Sequence, residues 1–291
     1  MITLDADWLA EHPLPEIEAE TDKNARGRVL IAGGSRTVPG ALALTGEAAF
    51  RAGAGKVQLA TVDPAALPLG IAMPEAAVFG LPANEDGEIA AEAASKLLEL
   101  LQACDTLVLG PGMGPQSAAT PIVQRLLDEN ERRRTILLDA AAIGGARDCA
   151  AAVRTHAGRI VLTPHPGEMV QLMGCDEAEV RDGPEALARS AAERFGTIVL
   201  LKRAETWIAA PGEQVLRYEG GGPGLATAGS GDVLAGILGG LLSRGAEPRV
   251  AAAWAVWLHG ESGRRRAAAS GKIGFLAREL LGEIPRLFTA D

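Results

Sequence analysis

The sequence has 291 residues, 47% of them apolar and 22% charged, with a formal net charge of −9 at pH 7. Length and composition suit a globular chain with ample material for a core, and the acidic balance argues against a protein built to grip a nucleic-acid backbone. The three cysteines, Cys104, Cys149 and Cys175, are odd in number and far apart, which argues against a disulfide framework or a zinc site and fits a reducing compartment.

Met1–Glu20 carries acidic residues and no basic segment. No apolar run reaches the roughly 18 residues of a membrane span without a charge, Gly or Pro. A cytoplasmic chain without leader or span is expected. Residues 1–26 are polar and punctuated by Pro13 and Pro15, and read as an N-terminal arm with one helical turn. Arg28–Ala32 is the first apolar run; it enters Gly33-Gly34-Ser35 and reads as a buried strand followed by a tight loop. Pro39 and Gly40 open an Ala-rich helix to about Ala52, and Lys56–Thr61 is the next strand.

The pattern then repeats. Glu92–Ala103 is helical, with Leu97, Leu98 and Leu101 at helical spacing, and Thr106–Leu109 is a strand that stops at Gly110-Pro111-Gly112-Met113-Gly114. Thr120–Glu129 is a helix and Thr135–Leu138 a strand ending in Asp139. Arg159–Leu162 is a strand that runs into Thr163-Pro164-His165-Pro166-Gly167-Glu168. Pro184–Phe195 is a helix and Thr197–Leu201 a strand. Thr206–Ala210 and Gln214–Tyr218 flank Pro211-Gly212-Glu213 as an antiparallel hairpin. Long helices follow near Asp232–Arg244 and Pro248–Ala269.

Apolar strands alternating with helices predict an α/β fold, a mostly parallel central sheet with helices on both faces. No linker divides residues 27–291, so one domain is expected there. Ligands of such sheets sit beyond the carboxyl ends of the strands. The loops to watch are therefore Gly33–Gly40, Gly110–Gly114, Thr163–Glu168 and Gly220–Asp232.

Residues 220–236 read GGGPGLATAGSGDVLAG. Glycines let the backbone approach a ligand closely, and the first N–H groups of a helix lack internal partners and sit at its positive end. Gly229-Ser230-Gly231 would thus aim donors at a phosphate. Asp232 at the same helix start is either a capping carboxylate or a general base for a substrate hydroxyl beside that phosphate. The second reading is preferred because of the glycine-rich approach. The phosphate motif G-x-x-x-x-G-K-[ST] and the G-x-S-x-G elbow are both absent.

GRVLIAGGS, PGA at Pro39–Ala41, AGAGKV, LGPGMG at Leu109–Gly114, LTPHPGE at Leu162–Glu168, LLK at Leu200–Lys202 and GLATAGSGDVLAGIL, in this order, resemble the ribokinase-like superfamily. Within it they resemble the ADP- or ATP-dependent NAD(P)H-hydrate dehydratase family, from about Gly27 to Leu287. The resemblance implies a ribokinase-like fold and a repair reaction. The hydrates NADHX and NADPHX lose water at the expense of a nucleotide phosphoanhydride, with Mg²⁺, ADP as the usual donor, and AMP and phosphate released. It implies Asp232 as the base touching the hydrate, with Ala41, Gly114 and His165 also contacting the hydrated dinucleotide. Lys202, Arg203, Ala204, Glu205 and Thr206 would hold the adenine nucleotide together with Gly231; Gly229 and Ser230, at the same helix start, belong to the same expected nucleotide site. No metal ligand is assigned. A homo-oligomer, as large as a tetramer, is implied, and the epimerase that precedes this domain in larger members is expected as a separate protein. Three positions depart from the family pattern: Ala141 where a second Asp is usual, Val38 where Tyr is frequent, and Arg203 where Gly is preferred.

His165 alone would read as a surface residue; its place with Glu168, held between Pro164 and Pro166, and the resemblance together make it a ligand contact without a proton-transfer role. Lys202 is either a strand-end lysine or a charge on phosphates, and Asp139 could cap a following helix. Arg132-Arg133-Arg134 and Arg264-Arg265-Arg266 read as solvated helix ends, Trp254 and Trp257 as core or subunit interface, and His259 as part of that same helix without a role of its own. Two other functions fit the residues: a small-alcohol kinase of the same fold, and a non-catalytic nucleotide sensor.

Overall fold

Val29 and Ile31 face one way and Leu30 and Ala32 the other, yet all four are buried. A strand in the middle of a sheet covered on both faces has this continuous apolar character. The structure is a computed structural model and describes residues 1–17, 20–129, 134–156 and 158–288. Its strands are β1 (Ile2–Thr3), β2 (Arg28–Ala32), β3 (Lys56–Val62), β4 (Ala77–Leu81), β5 (Thr106–Leu109), β6 (Thr135–Leu138), β7 (Ile160–Leu162), β8 (Ile198–Leu201), β9 (Glu205–Ala209) and β10 (Leu216–Glu219). They form a single sheet in the order β1-β10-β9-β8-β7-β6-β5-β2-β3-β4. Neighbours from β8 to β4 pair in parallel; β9 runs antiparallel to both β8 and β10. The expected mostly parallel α/β sheet and its antiparallel hairpin are thus present.

The helices are α1 (Ala6–Glu11), α2 (Ala41–Arg51), α3 (Asp63–Ala72), α4 (Ala93–Leu101), α5 (Gln116–Glu129), α6 (Ala141–Asp148), α7 (Ala150–Thr155), α8 (Pro166–Met173), α9 (Glu177–Asp182), α10 (Pro184–Phe195), α11 (Ser230–Ser243), α12 (Pro248–Ser270), α13 (Ala277–Leu280) and α14 (Ile284–Leu287). Two apolar cores result, one on each sheet face. The first gathers Val29, Val108, Leu137 and Val161 with α2 and α11–α14. The second gathers Leu30, Leu107, Ile136 and Leu162 with α4, α5 and α10. Among the described residues no helix is long and apolar enough to cross a membrane.

The first residues, read as a polar arm, contribute more than one turn. Ile2 and Thr3 pair in parallel with Leu216 and Arg217, and α1 buries Trp8 and Leu9 in the first core. Trp254 lies in this region, donating its indole N–H to the His12 carbonyl at 2.9 Å and meeting Trp257 edge to face at 5.9 Å. The helix expected from Thr120 begins at Gln116, because Pro121 lies inside α5 rather than at its start. The basic run at Arg132-Arg133 lies outside the described residues. Arg134 donates to the Cys104 and Gln102 carbonyls, and Arg264 and Arg266 pair with Glu261 and Glu279.

Two features set up the site. Strand order reverses at β2, whose neighbours are β3 and β5, so the crevice beyond β2 and β5 is the switch point where such sheets bind ligands. And α11 packs directly on α2: a Cβ added at Gly240 would lie 2.6 Å from the Ala49 carbonyl oxygen, and one at Gly229 would lie 2.6 Å from Leu44. Glycines let these helices approach closely along their length, from the start of α11 against the first turn of α2 to their far ends.

Candidate active site

Adjacent parallel strands deliver Asp139, Thr163 and Lys202 to one place, because each follows the end of its strand (β6, β7 and β8). Asp139 is buried, at 3% exposure. Its Oδ1 accepts from Lys202 Nζ at 2.6 Å and from Thr163 Oγ1 at 2.6 Å. Lys202 is fixed further by its own N–H, which donates to the Pro164 carbonyl at 2.8 Å. A buried ion pair of this kind holds only if both charges find partners, and here they do. Ala140, the residue after Asp139, is the one non-glycine residue with positive φ among the described residues, at 47°. This conformation costs an L-residue of order 1–3 kcal/mol and turns the chain sharply from β6 into α6.

The start of α11 faces this pair. Gly229 takes the left-handed conformation at φ 87°, where a Cβ would lie 2.6 Å from Leu44 of α2. A Cβ at Gly231 would lie 3.9 Å from Lys202 Nζ, so the lysine ammonium stands over the free N–H groups of the helix. Asp232 sits in the first turn. Burial pushes its carboxyl up to about 6; the Asp139 charge adds to the rise and Lys202 opposes it. Near neutral pH Asp232 is therefore ionised and basic enough to take a hydroxyl proton. Burial would lower the Lys202 ammonium, but Asp139, Glu168 and Asp232 around it hold it above its ordinary value.

His165 begins α8 as a capping residue. Its Nδ1 accepts from the Gly167 N–H at 3.0 Å and the Glu168 N–H at 3.3 Å, so a neutral ring carries its proton on Nε2. Glu168 Oε2 accepts from the His165 N–H at 2.8 Å, closing a capping box. Burial raises the Glu168 carboxyl, with Lys202 opposing. The His165 side chain itself remains 56% exposed, with one nitrogen spent on the helix.

A cavity of about 810 Å³ opens beside Lys202 and the start of α11. Lys202, Arg203, Ala204, Thr206, Ser230 and Gly231 line it, with His165 at its rim. Two of the residues assigned to a nucleotide stand apart from its lining: Gly229 packs on Leu44, and Glu205 pairs with Arg217 across the hairpin, Nε to Oε2 at 3.0 Å. Arg203 lines the wall, but its Nη1 donates to the Val180 carbonyl at 2.7 Å, at the negative end of α9. The far wall comes from Tyr218, Leu225 and Val256. Tyr218 lies against Gly220 and Gly260, at either of which a Cβ would collide with its ring.

His259, read from the sequence as a passive part of α12, also lines this cavity, and its Nε2 lies 2.9 Å from Ser230 Oγ. Its helical context, Trp254 and Trp257 on the same helix, hid it; only the crossing of α12 over the start of α11 brings it to Ser230.

Ala41 and Gly114 lie in the crevice beyond β2 and β5 instead. Gly34 N–H donates to the Pro111 carbonyl at 2.7 Å, and a Cβ at Gly112 would lie 2.6 Å from Ala41 Cβ. Gly114 N–H donates to Glu88 Oε2 at 2.7 Å. Val38, at the position where the family pattern frequently has Tyr, is 49% exposed at the edge of this loop. Ala141 starts α6 two residues after Asp139 and presents no carboxylate. Ala41 thus joins the first region through α2, whose Leu44 packs against Gly229.

Comparison with known proteins follows the same outline. The family model described as NAD(P)H-hydrate dehydratase matches residues 29–286. The ADP-dependent (S)-NAD(P)H-hydrate dehydratase of Xanthomonas campestris is 43% identical over 284 residues, 97% of this chain and 94% of that protein. A bifunctional NAD(P)H-hydrate repair enzyme of Moorella thermoacetica is 38% identical, and the chain spans 53% of its length. The crystal structure of ADP/ATP-dependent NAD(P)H-hydrate dehydratase from Bacillus subtilis, co-crystallised with ATP and Mg²⁺, superposes with a TM-score of 0.82 at 28% identity, covering 99% of this chain and 97% of that one.

Proposed function

The chain belongs to the NAD(P)H-hydrate dehydratase family, and on that premise we propose that it returns hydrated NADH and NADPH to NADH and NADPH by spending an adenine nucleotide, ADP before ATP. The observation that carries the reading is Asp232: a carboxylate raised to about 6, at a helix start that points free N–H groups past Lys202 into a cavity wide enough for a nucleotide.

Each step then has a group. The nucleotide's phosphates lie at Gly231 and Lys202, where helix N–H donors and an ammonium meet negative charge. The hydrate lies toward Ala41 and Gly114, with its ring hydroxyl at Asp232. Asp232 accepts the hydroxyl proton as the oxygen attacks the terminal phosphorus of ADP; the new O–P bond forms, the phosphoanhydride bond breaks, and AMP leaves. Loss of phosphate from the ring carbon, with a proton from its neighbour, restores the double bond and gives NADH, AMP and phosphate.

Mg²⁺ fits this site as a companion of the nucleotide. Among the described residues no group of three or more His, Cys, Asp or Glu is placed to hold a metal by itself. The side chains at hand are oxygen donors, Asp139, Glu168 and Asp232, and Mg²⁺ binds through one or two carboxylates plus substrate phosphates. Bound there, it would neutralise charge developing on the transferred phosphoryl group. Asp139 and Glu168 are the carboxylates proposed to meet it.

The test is incubation of the protein with NADHX, Mg²⁺ and either ADP or ATP while absorbance at the reduced-nicotinamide band is followed. Nucleotide-dependent recovery of NADH is the expected result, faster with ADP. No recovery with either donor contradicts the proposal.

A further inference from the structure

His259 stands in the cavity beside Lys202 with no part in the reaction outlined above. Its ring is half-buried on α12, one residue before Gly260 and three after Val256, and shares the cavity wall with Ser230, Gly231 and Lys202. The ring contact given by the structure is Nε2 to Ser230 Oγ at 2.9 Å. Burial pushes the imidazole down to about 4; an interaction with the Ser230 backbone opposes this and Lys202 adds to it. Around neutral pH the ring is therefore neutral and adds no second cation beside Lys202.

A neutral imidazole offers one donor and one acceptor. If Nε2 accepts, the serine proton turns inward to the ring and only oxygen lone pairs face the cavity. If Nε2 donates, the Ser230 oxygen is held and its proton is free to point outward. Phosphate oxygens accept and cannot donate, so an anion at the start of α11 selects the second arrangement.

We infer that His259 is a nucleotide-positioning residue, holding the Ser230 oxygen through Nε2–H so that the Ser230 hydroxyl donates to a phosphate oxygen of the bound adenine nucleotide. The inference rests on the reading that this cavity takes the nucleotide. It adds a directed hydroxyl to the helix N–H groups and explains a histidine rather than an aliphatic residue at a half-buried position of α12. An aliphatic residue would fill the space but would let the serine proton turn to other acceptors.

The test is calorimetric titration of ADP, with Mg²⁺ present, into wild type, His259→Leu, His259→Gln, Ser230→Ala and the double variant Ser230→Ala/His259→Leu. Loss of one hydrogen bond to a charged group corresponds to about a tenfold loss of affinity. His259→Leu and Ser230→Ala should each weaken ADP about tenfold. The double variant should be no weaker than either alone, and His259→Gln, whose amide nitrogen reaches the Nε2 position, should stay within about threefold of wild type. KM for the hydrate should be unchanged in all of them, which a general loosening of α12 would not leave alone. Wild-type affinity in folded His259→Leu, or penalties that multiply in the double variant, overturns the inference. If His259→Leu does not fold, His259→Asn takes its place: its shorter amide stops short of Nε2, and wild-type affinity in it or in Ser230→Ala has the same meaning. Wild-type protein that binds no adenine nucleotide overturns the proposed function itself, whereas binding that is indifferent to these substitutions overturns this inference alone.

Discussion

Lys202 Nζ lies 2.6 Å from Asp139 Oδ1, an ion pair formed between residues at the ends of two strands that are separated in the sheet by one other. Beside the larger effect of burial, the pair acts on Asp232 from both sides, since Asp139 raises its carboxyl and Lys202 lowers it. Replacing Lys202 by Met removes the lowering charge and leaves Asp139 buried without its cation. Such a loss costs about 3–5 kcal/mol, so the melting temperature should fall clearly. If enough activity survives, the acid limb of kcat/KM should move to higher pH. A limb that stays in place would show that Lys202 does not act on Asp232.

The pH profile of the wild type follows from the same carboxyl. Asp232 must be ionised to accept a proton, and burial sets its titration at about 6. kcat/KM for the hydrate should rise from pH 5 to pH 7 with a midpoint near that value and then level off. A profile flat across this range would place the base elsewhere.

Stability carries the opposite sign. A carboxyl raised on folding binds its proton more tightly in the folded state, so its contribution to stability falls as pH rises from the unfolded value of about 4 toward the folded value of about 6. Asp232→Asn removes the buried charge. The variant should melt a few degrees above wild type at pH 8, and the difference should shrink toward pH 4.

Gly112 is locked twice. Its φ is 68°, and an added Cβ would lie 2.8 Å from the Val38 carbonyl oxygen as well as 2.6 Å from Ala41. Neither backbone can retreat without moving the loops beyond β2 and β5. Gly112→Ala should cost about 1–3 kcal/mol in denaturant unfolding and raise KM for the hydrate more than KM for the nucleotide. Equal effects on both would place the hydrate away from Ala41.

Arg203 departs from the glycine expected at its position, yet its guanidinium is engaged with the Val180 and Arg181 carbonyls. Arg203→Ala should therefore change ADP affinity less than about threefold while lowering stability by about 1 kcal/mol through α9. A tenfold loss of ADP affinity would show that the side chain swings onto the phosphates.

Much of the architecture was legible because a parallel sheet buried on both faces writes its strands as short apolar runs. Val29–Ala32 and Thr106–Leu109 needed no further context. Ala77–Leu81 gave no such signal: it is an edge strand, half-exposed, with Gly80 inside. Its neighbour α3 contains Pro68 and apolar residues all round, including Leu67 and Ile71 at 74% exposure, so no helical period stood out. At the site, Asp232 and Lys202 announced themselves by glycine context and strand end. Their convergence with Asp139 depended on strand order, which local pattern does not contain. Glu205 is the converse case: it lies beside Arg203 and Ala204 in sequence, but the alternation of a strand turns it to Arg217. His259 depended on the packing of α12 back across the start of the preceding helix, which brings it to Ser230.

The most direct test of the account is a side-by-side assay of wild type and Asp232→Asn with NADHX, ADP and Mg²⁺, with ADP binding measured on both. Recovery of NADH by wild type and a loss of at least about 10³-fold in the variant are expected, with ADP binding retained because the helix N–H groups and Lys202 remain. Comparable turnover by a folded Asp232→Asn would contradict it.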